Sequence, residues 1–121
     1  MANLNDILRE IAVQIEGLIA LSVVGPDGIT VAEKNHAGFN TDAFSAKFGM
    51  VMNMVGESVE ELEEWGEFKE NLVLIRTSKA WILTLTLKNH YFLVIAVTHR
   101  GNLRNVRLLA KKYADQLRAA L

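Results

Sequence analysis

Residues 72–98 read LVLIRTSKAWILTLTLKNHYFLVIAVT, and the fold follows from this stretch. It holds three apolar runs, 72–77, 80–87 and 91–98, separated only by Ser78-Lys79 and Lys88-Asn89-His90. Connections this short join antiparallel neighbours, because a parallel crossover needs about a dozen residues or more. The runs are therefore expected to form a three-stranded meander. VLI, WILTLTL and YFLVIAV are apolar at even and odd positions alike. Such strands need cover on both faces of their sheet.

The flanking sequence supplies that cover. Downstream, Leu103, Val106, Ala110, Tyr113, Ala114, Leu117 and Leu121 recur on one face of a helix starting near Asn102, with basic residues mostly opposite. At the other end, Leu4, Ile7, Leu8, Ile11, Ile15 and Leu18 make one helical stripe over residues 4–19, with Asn3 or Asn5 as the cap and Gly17 as the stop. Next comes ALSVVGPDGITVAE (20–33), two β-branched runs around Gly25-Pro26-Asp27-Gly28. Proline fixes φ and the second glycine accepts φ > 0, the chemistry of a hairpin turn. After the loop KNHAGFN (34–40), Asn40 or Thr41 is placed to cap a second helix reaching about Glu64. The expected order is α-β-β-α-β-β-β-α: a single α+β domain over residues 1–121 with a five-stranded antiparallel sheet, two helices on one face and one on the other.

The second helix carries more apolar surface than one face requires. Phe44, Phe48, Val51, Val55, Val59 and Leu62 form a stripe sufficient to seat it on the sheet. Ala43, Ala46, Met50 and Met54 form a second set, with Gly49 and Gly56 nearby, and small residues beside flexible methionines suit close helix–helix approach. The strand at 72–77 has one sequence neighbour and is a candidate edge; pairing with the same strand of a second copy would satisfy its backbone. Arg76 and Lys79 offer the alternative of charges guarding a free edge. The self-association surface assigned on this reasoning is Ala43, Lys47, Met50 and Met54 with Val73 and Ile75, and the expected state is a homodimer.

Half of the 121 residues are hydrophobic and 22% are charged, which excludes intrinsic disorder. With no cysteine, disulfides, thiolate metal sites and cysteine nucleophiles are excluded, and a reducing cytoplasm is the natural setting. No apolar run approaches the roughly 20 residues of a membrane span, so direct membrane insertion is not expected. Net charge is −1, yet seven glutamates and one lysine occupy 57–70, while six basic residues against Asp115 alone occupy 100–121. Glu57, Glu61, Glu64 and Trp65 are the candidate partner-binding residues: an acidic face at helical spacing beside an aromatic anchor. The basic last helix invites a nucleic-acid reading, but a pI near 6.3 and the lack of aromatic-interleaved basic strands weigh against it.

Catalytic chemistry has little purchase. Gly25-Pro26-Asp27-Gly28 lacks the Lys-Ser or Lys-Thr of a phosphate-binding loop and connects two strands. His36, His90 and His99 lie too far apart for a helical zinc pair, and Ser22, Ser45, Ser58 and Ser78 have no nucleophile-elbow context. No catalytic residue, cofactor or metal is assigned.

Taken with this element order, LREIAVQIEGLIALSVVGPDGITVAE (8–33), the methionine-bearing second helix and LVLIRTSKAWILTLTLKNHYFLVIAVTHRGNLRNVRLLAKKYADQL (72–117) resemble the Roadblock/LC7 domain family, in its MglB-like bacterial and archaeal branch. The resemblance covers essentially the whole chain and rests on order and spacing, not on a catalytic signature. It implies a homodimer built by edge strand and second helix, and a non-catalytic regulator or scaffold that binds a Ras-like small GTPase and modulates its activity or localisation. No arginine is assignable as a finger entering a nucleotide site. The alternatives are a structural adaptor subunit of a multiprotein assembly, dynein light-chain-like and without GTPase effect, and a small-molecule-sensing sheet domain, which the bulky strands disfavour.

Overall fold

Each of the three long helices starts at an asparagine whose side chain accepts a backbone N–H of the first turn. Asn3 Oδ1 accepts from Asp6 N at 2.9 Å, Asn40 Oδ1 from Ala43 N at 3.1 Å and Asn102 Oδ1 from Asn105 N at 3.1 Å. In the computed structural model, which describes residues 3–36, 38–66 and 69–121, these caps open α1 (Leu4–Ala12), α2 (Thr41–Glu60) and α3 (Leu103–Ala119). Between them run β1 (Leu18–Val24), β2 (Thr30–Asn35), β3 (Leu72–Arg76), β4 (Ala80–Thr86) and β5 (Phe92–Thr98). The order is the expected α-β-β-α-β-β-β-α. Every strand pair is antiparallel, and the sheet runs β2-β1-β5-β4-β3. The meander thus occupies one half of the sheet, and β3 is its edge.

The two faces carry separate cores. On one, α1 and α3 bury Ile7, Leu8, Ile11, Val106, Ala110, Tyr113 and Leu117 against Leu21, Leu83, Leu85, Leu93 and Ile95. On the other, α2 closes a smaller core of Ala20, Val24, Met52, Ile82, Phe92, Val94 and Ala96. Alternate residues of β5 therefore serve opposite layers, which is why its sequence is apolar throughout.

Two helix boundaries differ from the sequence reading. The first helix stops at Ala12 instead of continuing towards residue 19, and Leu18 belongs to β1. A tight turn, with Gln14 N donating to Ile11 O and Ile15 N to Ala12 O, still delivers Ile15 to the core, so the helical period persists past the helix itself. The second helix ends at Glu60, and a separate 3-10 turn at Glu63–Trp65 follows.

The face of α2 that meets the sheet also differs. The expected Phe44-to-Leu62 stripe lies on a flank: Phe44 and Phe48 are half-buried and stacked at 4.8 Å, while Val51 and Leu62 are exposed. The buried line is Thr41, Ser45, Gly49 and Met52. Gly28 explains it. At φ +80° in the β1–β2 turn, this residue lies so near α2 that an added Cβ would stand 3.1 Å from Ala46 Cα and 3.2 Å from Ser45 O. Gly49 faces the same turn, 3.6 Å from Gly28 Cα for its notional Cβ. It is consumed by packing within the chain, not by the helix–helix contact that the sequence suggested.

Candidate functional site

At about 100° per residue, Ala43, Lys47, Met50 and Met54 project from α2 directly opposite its buried line. All four are exposed, Met50 by 68% and Met54 by 64%. Glu57 and Glu61 continue the same line to the C-terminal end of the helix; Glu64 and Trp65 follow on the 3-10 turn, with Trp65 81% exposed. The candidate interface residues of the helix and the acidic candidates Glu57 and Glu61 thus share one outer edge of α2, with Glu64 and Trp65 on the turn that follows. The first part of that edge is apolar with one lysine, and its last part is acidic. Glu57, Glu60, Glu61, Glu63 and Glu64 have no ion pair among the described residues.

Val73 and Ile75 are not on that edge. They belong to β3, opposite Thr84 and Ile82 of β4, and point to the face that α2 covers. However, α2 lies over β1 and β2, at the far side of the sheet. The outer strip formed by β3 is consequently half-covered, and both side chains remain half-buried. Beneath them, Thr84 Oγ1 donates to Val73 O at 3.3 Å and reaches Met52 Sδ at 3.7 Å, tying the strip to the buried line of α2. The other long edge of β3 has no strand partner among the described residues.

The opposite face of β3 carries a feature that the sequence reading passed over. Leu72, Leu103 and Leu108 line a groove of about 420 Å³ between β3 and α3, with Arg104, Arg107 and Lys111 on its walls. Leu108 is 60% exposed. Its signal in the sequence is a leucine set inside the basic stripe Arg104-Leu108-Lys111, off the register of the buried residues. A smaller cavity of about 260 Å³ lies between α2 and the β4–β5 hairpin, with Met52 and Phe92 in its lining and Glu57, Glu60 and His90 around it.

Electrostatics near β3 centre on Glu70. It pairs with Lys111 and with Arg118 Nη2 (2.9 Å), and these bonds, Lys111 first, hold its carboxyl below the ordinary glutamate value against the opposing effect of burial. Arg118 also donates through Nε to Leu87 O (2.9 Å), so one guanidinium joins α3, the end of β4 and the segment leading into β3. His36, His90 and His99 are exposed and dispersed, and no group of three His, Asp or Glu able to hold a metal occurs among the described residues. No helix among them is long and apolar enough to cross a membrane.

The sequence matches no family model and no curated protein. Solved structures are similar in backbone. Myxococcus xanthus MglB has a TM-score of 0.80 at 16% identity, over 95% of this chain and 91% of that one. The Roadblock/LC7 domain from Streptomyces avermitilis has 0.71 at 10% identity, over 96% and 98%. Myxococcus xanthus MglC has 0.63 at 26% identity, over 95% and 96%.

Proposed function

We propose that this chain, which has the Roadblock/LC7 fold, is a homodimeric, non-catalytic regulator that binds a Ras-like small GTPase and changes its hydrolysis or its placement. The observation that carries the reading is the pair of incomplete surfaces on one side of the molecule. The outer edge of α2 offers Ala43, Lys47, Met50 and Met54 to solvent, and the β3 strip keeps Val73 and Ile75 half-covered beside a free strand edge.

A two-fold axis normal to the sheet at β3 would pair this strand antiparallel with its copy, joining two five-stranded sheets into one. The same axis puts both α2 helices on one face of the joined sheet, and Ala43, Lys47, Met50 and Met54 are the helix side chains proposed for the contact between copies. Methionines adapt to such a seam because the thioether side chain is flexible and polarizable. Met54→Glu places a charge in that seam and is expected to weaken the dimer by more than about 100-fold, read by light scattering during size exclusion. A variant that remains as dimeric as the parent would move the contact elsewhere.

The acidic ends of the paired helices, Glu57, Glu61, Glu64 and Trp65 from each copy, are the proposed partner surface. Trp65 supplies a large rigid anchor and the carboxylates supply steering. Two such ends related by a two-fold present the GTPase with a surface that the monomer lacks. The test is GTP hydrolysis by the small GTPases of the same genome, with and without this protein, together with direct binding. A changed rate that disappears with Met54→Glu supports the regulator. Absence of both binding and rate change with every GTPase tried would favour an adaptor subunit instead.

A further inference from the structure

The groove between β3 and α3 is apolar, open and basic, and the function proposed above does not use it. It is lined by Leu72, Leu103 and Leu108 together with Arg104, Arg107 and Lys111. Arg104 and Arg107 have no ion pair among the described residues, and Lys111 is held on one side by Glu70. The chain also carries the complement of this surface. Just past α2, Leu62 and Trp65 are exposed within a run that includes Glu57, Glu60, Glu61, Glu63 and Glu64, all without ion pairs among the described residues. One surface is a leucine-lined groove walled by arginines. The other is a projecting leucine and tryptophan surrounded by carboxylates.

We infer that the acidic end of α2 of one copy docks in the β3–α3 groove of another, with Leu62 and Trp65 on Leu103 and Leu108 and the glutamates facing Arg104, Arg107 and Lys111. Charge complementarity chooses a second copy of this chain as the occupant. The contact is heterologous, since two different patches meet, so it does not close on itself as a two-fold interface does. Added to dimers, it builds chains or rings larger than two copies. Because the facing charges are exposed, the association weakens as salt rises. Occupying the acidic end also removes it from other partners, so self-assembly and partner binding compete for Trp65.

Sedimentation velocity of the full chain at about 20 mM and about 500 mM NaCl, across a concentration series, tests this. Species larger than two copies are expected at low salt and their loss at high salt. Leu108→Glu and Trp65→Glu alter exposed side chains, and each is expected to abolish those species. Met54→Glu removes the two-fold contact proposed above but leaves the salt-dependent association, which separates the two readings. A charge exchange gives the pairing itself. A variant with Arg104→Glu and Arg107→Glu, and another with Glu61→Arg and Glu64→Arg, should each fail to assemble alone and co-assemble when mixed.

A salt-independent size, association that survives both Leu108→Glu and Trp65→Glu, or mixed variants that stay apart would each overturn the inference. So would a parent of constant size whose groove binds a labelled acidic amphipathic peptide in a Leu108-dependent way, since the occupant would then be another protein.

Discussion

Gly28 sets the height of α2 above the sheet, and its neighbour across the contact behaves differently under substitution. At Gly28 a side chain meets positive φ and helix backbone at 3.1–3.2 Å together. Gly28→Ala is therefore expected to cost more than about 1 kcal/mol and lower the melting temperature by several degrees. At Gly49 the added Cβ finds only ordinary contacts, 3.6 Å or more from Gly28 and Phe92, within a helix. Gly49→Ala is expected to raise stability by up to about 1 kcal/mol through helix propensity; a fall on calorimetry would mean the contact is tighter than the geometry states. The β4–β5 turn offers a third test. Asn89 and His90 adopt φ 51° and 66°, and Tyr91 N donates to Lys88 O at 2.9 Å, the pattern of a type I′ turn. His90→Gly should relieve the second of these and stabilise by about 0.5–1 kcal/mol. Gly28 was legible as a turn residue because Pro26-Asp27-Gly28 is local chemistry. Its hold on α2 was not, because the atoms it meets are brought there by the fold.

Among the elements, the strands were the most legible, since continuous apolar runs bounded by short polar breaks leave few other structures open. The helices were legible in number and at their N-termini, where asparagine caps act locally. Their far limits and facings were less so. Ile15 keeps helical period after α1 has ended, and α2 is apolar on several sides, so tertiary contact with the β1–β2 turn decides which side is inward. The β3 lead-in makes a prediction of its own. Glu70 is more acidic in the fold than in the open chain, so the stability from its pairs with Lys111 and Arg118 is present above the unfolded value and lost as pH falls through the lowered one. Melting temperatures should thus drop below about pH 4, and Glu70→Gln should flatten that drop while lowering stability at neutral pH. If the variant and the parent keep parallel pH profiles, the pairs do not hold β3 to α3. The sequence showed basic residues on α3 but not this link, because Arg118 and Glu70 are far apart in the chain.

For the molecule as a whole, 50% hydrophobic residues is more than the two cores absorb. Much of the remainder is exposed: Met50, Val51 and Met54 on the outside of α2, Leu62 and Trp65 at its end and Leu108 on α3, with Val13, Ile29, Val31 and Leu74 elsewhere. The near-zero net charge is similarly divided, acidic after Met54 and basic on α3. The regulator reading proposed above depends on the proposed β3–α2 dimer. Its most direct test is the mass in solution at micromolar concentration and about 500 mM NaCl, where screening removes contacts between exposed charges. The parent is expected at twice the 13.5 kDa of one chain and Met54→Glu at 13.5 kDa. A parent of 13.5 kDa under those conditions would contradict the account.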